Sequence, residues 1–161
     1  MEEDANKILI LGIGNDILTD DGIGPKLVQE LQKYITNPNI VFDTAAAGGL
    51  DILEMIKDYN KAIIIDAIKT RDGVPGTVYF LTPASFKETL HMSSFHDVNF
   101  LTALKLAEKL NIPVPDQIEI IAVEILEDLT FSTEFSPPIT DKYNDILQEV
   151  KISVEKLIDK W

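Results

Sequence analysis

The stretch Ile8-Leu9-Ile10-Leu11-Gly12-Ile13-Gly14-Asn15, running on into Leu18-Thr19-Asp20-Asp21-Gly22-Ile23-Gly24-Pro25, decides the fold. A continuous apolar run closed by glycine is the pattern of a strand buried on both faces. Beyond the turn, Leu27, Val28, Leu31 and Tyr34 recur at helical spacing, and Pro25 stands where a first-turn proline belongs. A strand, a glycine-bearing turn and a helix make the opening half of a βαβ unit.

Outward from there the alternation continues. Residues 40–45 read as a second strand, Gly48-Gly49 breaks it, and Leu50, Leu53 and Ile56 mark a second helix. Ala62-Ile63-Ile64-Ile65 is a third buried strand, ending at Asp66. The turn signal Pro75-Gly76 precedes a strand over 77–81. The link from Asp66 is too short for a parallel crossover, so this strand is expected to run antiparallel to the third. A helix over 98–110, with Leu101, Leu104 and Leu110 inward, a strand over 118–123 and a long loop over 124–138 follow. Tyr143, Ile146, Leu147, Val150, Val154, Leu157, Ile158 and Trp161 trace a final amphipathic helix. The order β-α-β-α-β-β-α-β-α predicts an α/β fold, a three-layer α/β/α sandwich around a mostly parallel five-stranded sheet with one antiparallel strand. Right-handed crossovers put the second and third strands on either side of the first. The switch point, where open α/β sheets bind ligands, then lies beyond the C-terminal ends of the first and third strands.

The length of 161 residues suits one domain, 1–161, able to close a hydrophobic core without staples. The absence of cysteine removes disulfides, thiolate nucleophiles and Cys-based zinc sites, and fits a reducing compartment. Met1-Glu2-Glu3-Asp4 is acidic where a secretory signal is basic, and the apolar run 8–13 is too short to span a bilayer. The expectation is a soluble, cytoplasmic protein with no membrane partner. A net charge of −13 repels a phosphate backbone, so nucleic acid is not an expected partner.

The glycine-rich turn resembles a dinucleotide-binding loop only at first glance. Ile17 stands where the third glycine of G-x-G-x-x-G belongs, and Asp20-Asp21 before the helix would repel a pyrophosphate. An aspartate at a helix N-terminus is an ordinary cap favoured by the helix dipole, which explains one of the pair. The second is surplus and lies where the sheet opens, which suits metal ligation. Asp66, directly after a buried strand, is costly unless paired, hydrogen-bonded or metal-bound. Strand order sets it beside the Asp20-Asp21 loop. Converging carboxylates suit either a cation or acid–base work. His96, in Ser94-Phe95-His96 just before the 98–110 helix, adds a nitrogen donor; His91 is the other histidine. An O,O,N set favours nickel, zinc or an iron-like metal over magnesium. Neither H-E-x-x-H nor G-x-S-x-G occurs, which removes the zincin and nucleophile-elbow routes to hydrolysis.

Taken together, these residues resemble the [NiFe]-hydrogenase maturation endopeptidases over nearly the whole chain. The first motif carries most of the likeness. Ala47-Gly48-Gly49, Ile64-Ile65-Asp66-Ala67, Pro75-Gly76-Thr77 and Ser94-Phe95-His96 follow in the family's order. The resemblance implies three metal-binding side chains, which by motif alignment fall on Asp21, Asp66 and His96. The first position is Glu in some family members and Asp here, a shorter reach with the same charge. It implies an aspartyl-type endopeptidase in which Asp21 and Asp66 are the catalytic carboxylates, and nickel supplied by the substrate, the hydrogenase large-subunit precursor, whose C-terminal extension is cut. Two other readings use the same residues: a metal-dependent hydrolase of small molecules, and a non-catalytic nickel-handling module.

Overall fold

The computed structural model describes residues 6–46, 50–88 and 95–161, with side chains undescribed at 50, 86–88 and 95–99. Strands β1 (Ile8–Ile13), β2 (Ile40–Ala45), β3 (Lys61–Ile68), β4 (Val78–Leu81) and β5 (Gln117–Glu124) form one sheet in the order β2-β1-β3-β5-β4. All pairings are parallel except β4 with β5, at the edge. β4 thus opposes β3 in direction, but its hydrogen-bonded neighbour is β5.

Helices α1 (Ile23–Tyr34) and α5 (Pro137–Lys160) cover one face; α2 (Leu50–Ile56) and α4 (Phe95–Leu110) cover the other. A short helix absent from the periodicity, α3 (Pro83–Glu88), follows β4. Alternation along the strands splits the core between the faces. Leu9, Leu11, Ile13, Ala62 and Ile64 pack towards α2 and α4; Ile8, Ile10, Ile63 and Ile65 pack towards α1 and α5. β1 and β3 are buried from end to end apart from the first residue of β3, as central parallel strands must be.

Three expectations are corrected. β3 continues past Asp66 to Ile68, because Ala67 and Ile68 are buried and stay in register with Val123 and Glu124 of β5. Helix α4 starts at Phe95, so His96 lies in its first turn and not before it. Leu110, expected inward, is the last residue of α4 and is exposed, while Leu101 is buried and Leu104 packs at the core's margin. His91 and Ala47-Gly48-Gly49 lie outside the described residues.

Candidate active site

The site begins with backbone contact. Gly12, on the α1 face of β1, lies so close to Gly24 that a Cβ there would meet the Gly24 carbonyl oxygen at 2.5 Å. A Cβ on Gly24 would meet the carbonyl oxygen of Ile65 and, at 2.6 Å, that of Ile13. Gly14 has φ +149°, and a Cβ there would strike the Asp21 carbonyl oxygen. These glycines therefore do not cradle phosphate. They let a 3-10 turn (Thr19–Gly22) and the start of α1 seat directly on the C-terminal ends of β1 and β3.

The turn carries two consecutive aspartates in different settings. Asp20 is fully buried, and its carboxylate accepts four hydrogen bonds from one loop: Leu126 N (3.1 Å), Glu127 N (2.9 Å), Ser136 N (2.7 Å) and Ser136 Oγ (2.7 Å). The expected helix cap is not made. Gly22 is the N-cap of α1, with no side-chain hydrogen bond there. The physical reason is that the 3-10 turn leaves Asp20 facing the 125–136 segment, whose N–H groups need acceptors. Asp21, also buried, has Oδ2 accepting from Asn15 N at 2.8 Å, which ties it to the chain leaving β1.

Asp66 pairs in register with Ile13, the last residue of β1, and with Ala122 of β5. It is buried, and its Oδ1 accepts from Ala67 N at 2.8 Å. Alternation puts it on the face covered by α2 and α4, in line with Ala62 and Ile64. The first turn of α4, with His96, belongs to that same layer; the His96 side chain lies outside the described residues. Asp21 and Asp66 thus come from two elements that meet at one place. The Asp21 turn contacts β3, and Gly24, just beyond it at the start of α1, abuts the carbonyls of Ile13 and Ile65, the register partner and the chain neighbour of Asp66.

A further buried carboxylate, Glu124, stands two residues beyond Asp66's partner on the same face of β5. It accepts from Thr70 N (2.7 Å) and Thr70 Oγ1 (3.0 Å) and so secures the 69–77 connection. Burial, and then the nearby Glu124 charge, raise the Tyr79 phenol above its ordinary value. Glu124, expected as the first residue of the long loop, is instead the last residue of β5.

The loop expected over 124–138 is shorter, 125–136, because β5 runs to Glu124 and α5 begins at Pro137, and it is tied down. Leu18 and Ser132 form a parallel bridge, Ser132 N donates to Ile17 O (3.0 Å), and Thr19 Oγ1 donates to Thr130 O (2.5 Å). Glu127 closes a turn by accepting from Leu129 N (2.8 Å) and Thr130 N (3.0 Å), and the Leu129 N–H bond first, then Thr130, holds its carboxyl below the usual range. Among the described residues no helix is long and apolar enough to cross a membrane.

A family model described as hydrogenase maturation protease matches residues 25–152. The chain belongs to that family, and it is a peptidase of that kind. The matched span includes Asp66 and His96 and begins just after Asp21. The hydrogenase 2 maturation protease of Escherichia coli K12 is 28% identical over 149 residues, covering 89% of this chain and 88% of that protein. Among solved structures, the hydrogenase maturating endopeptidase HybD from E. coli superposes with TM-score 0.76 at 25% identity, covering 93% of each chain. The maturation protease HybD from Thermococcus kodakarensis shares the fold, with TM-score 0.68 at 23% identity over 94% of this chain and 99% of that one.

Proposed function

We propose that this peptidase removes the C-terminal extension from the nickel-loaded large-subunit precursor of a nickel–iron hydrogenase, with Asp21, Asp66 and His96 as the side chains that engage the nickel. The observation that carries the reading is the seating of the Asp21 turn and the start of α1 on the C-terminal ends of β1 and β3, where Gly24 abuts the carbonyls of Ile13 and Ile65 next to Asp66. Two buried carboxylates, each oriented by a backbone N–H, form the oxygen part of an O,O,N donor set suited to a first-row transition metal.

Nickel arrives as part of the substrate, and bound to these side chains it supplies recognition and Lewis acidity. The chain's own groups do the rest. The sequence contains no cysteine and no nucleophile elbow, so the nucleophile is assigned to water. Asp21 and Asp66 are the groups at the strand ends able to take a proton from that water as it attacks the scissile carbonyl, and to return one to the leaving amine. On this aspartyl-type reading no covalent enzyme intermediate forms. Processing is assigned to the cytoplasm on the cysteine-free sequence.

The test is incubation of the purified protein with nickel-loaded and nickel-free precursor, followed by mass measurement. The expected result is shortening of the loaded form alone. Equal cleavage of both would remove nickel from recognition, and cleavage of neither would refute the reading.

A further inference from the structure

We propose that the rim formed by Ile17, Leu126, Leu129 and Phe131 is the surface on which the protein substrate docks an apolar segment flanked by basic residues. The proposal rests on the peptidase reading above and adds how the substrate is held.

These side chains are 47%, 48%, 82% and 78% exposed, an unusual concentration of large apolar groups on one edge. Ile17 and Phe131 are set alongside one another by the Leu18–Ser132 bridge. The backbone that presents them is fixed. The buried Asp20 carboxylate takes the N–H groups of Leu126 and Glu127, and Glu127 takes those of Leu129 and Thr130. Apolar side chains displayed on a backbone already ordered lose little freedom on binding, which is how a docking surface gains affinity.

The rim adjoins the turn that carries Asp21: Asp21 N donates to Leu18 O, and Asp20 N donates to Glu127 O. On the side of α1 and α5, a groove of about 640 Å³ is lined by Asp16, Gly22, Pro25, Thr133, Glu134 and Phe135, among others.

Charge identifies the occupant. Asp16 and Glu134 line the groove and Glu127 stands on the rim, whereas the groove's Lys26 is drawn to Glu30 of its own helix at 3.7 Å. An acidic border around apolar residues suits a partner with basic residues flanking an apolar stretch. A second copy of this chain is a poor occupant, because it brings the same acidic border and the same net charge of −13.

The experiment compares steady-state processing of nickel-loaded precursor, and precursor binding without turnover, by the wild type, Leu129→Ser/Phe131→Ser and Glu134→Lys. The double variant should melt with the wild type, since its changes are exposed. Its KM should rise about tenfold with kcat unchanged, the pattern of lost uniform binding. Glu134→Lys should raise KM by a smaller factor and reduce the salt dependence of binding. Unchanged KM in the double variant, with the wild type active, would overturn the docking surface and leave the peptidase reading standing. A wild-type dimer that the double variant abolishes would also overturn it, assigning the rim to self-association. If the wild type cuts no precursor, the functional reading fails. Binding that is present in the wild type and lost in the double variant would then still uphold the docking surface, and absence of binding would sink it.

Discussion

Asp20 and Asp21 are neighbours in sequence and both buried, yet they serve different parts of the molecule. Asp20 faces the 125–136 segment and gathers its backbone donors. Asp21 faces the sheet, is tied to Asn15, and sits over the strand ends where Asp66 emerges. A 3-10 turn makes this division possible, because consecutive residues in it project in widely different directions. One region is a fully satisfied electrostatic clamp; the other is a seat held open by glycine contacts. Substitutions that affect stability and substitutions that affect chemistry should separate along this line.

The largest stability effect is expected from Asp20→Ala. It strands several inward-facing donors of the 125–136 segment, at about 3 kcal/mol in total. For a domain of this size that lowers the melting temperature by roughly 6–12 °C. A thermal melt checks it, and limited proteolysis should place the first new cut in the 125–136 segment. A melt unchanged from wild type would mean that the clamp is not one.

Gly24→Ala comes next. Its Cβ would meet backbone oxygen atoms of Ile13 and Ile65, which cannot rotate away, so overpacking of about 2 kcal/mol is expected. It also lifts the Asp21 turn off the strand ends, so processing should fall further than the loss of folded protein explains. Measuring melt and rate on the same preparation separates the two. A rate that tracks the folded fraction alone would detach the glycine seat from function.

The smallest effect tests the clamp's far side, where Tyr143 of α5 stacks on Phe135 at 5.7 Å between ring centroids. Burial first, then Glu30, pushes the Tyr143 phenol well above its ordinary value. A raised native value means that the unfolded state releases its proton first. Stability is therefore full below about pH 10 and declines as pH rises beyond it. Tyr143→Phe should melt within about 0.5 kcal/mol of wild type at neutral pH, since the hydroxyl finds no hydrogen-bond partner among the described residues. In alkaline melts it should lose less stability than wild type; an identical alkaline decline would assign that decline elsewhere.

Most of the fold was legible because buried parallel strands write themselves as apolar runs. Ile8–Ile13 and Lys61–Ile68 could be little else once a helical stripe followed the first. The family likeness and the convergence of the Asp21 turn on the Asp66 strand were legible for the same reason, since strand order fixes which ends are adjacent. The job of Asp20 was not. A capping aspartate and one that accepts from a segment more than a hundred residues away look identical in sequence, and the choice is made by tertiary contact. Glu124 read as the start of the loop because a charged residue ends the apolar run over 118–123, and the exposed Leu129 and Phe131 read as loop residues because no periodicity marks a rigidly held loop. Helix α3 and the early start of α4 escaped because six residues, or one added turn, are too few to show a stripe.

The most direct test of this division of labour is to compare Asp20→Asn, Asp21→Asn and Asp66→Asn in processing of nickel-loaded precursor, each at a temperature where it is folded. Asp21→Asn and Asp66→Asn are expected to melt close to wild type and to cut about a hundredfold more slowly or not at all. Asp20→Asn is expected to melt lower and, per folded molecule, to cut at close to the wild-type rate. Wild-type cutting by Asp66→Asn, or loss of cutting in Asp20→Asn alone, would contradict the account.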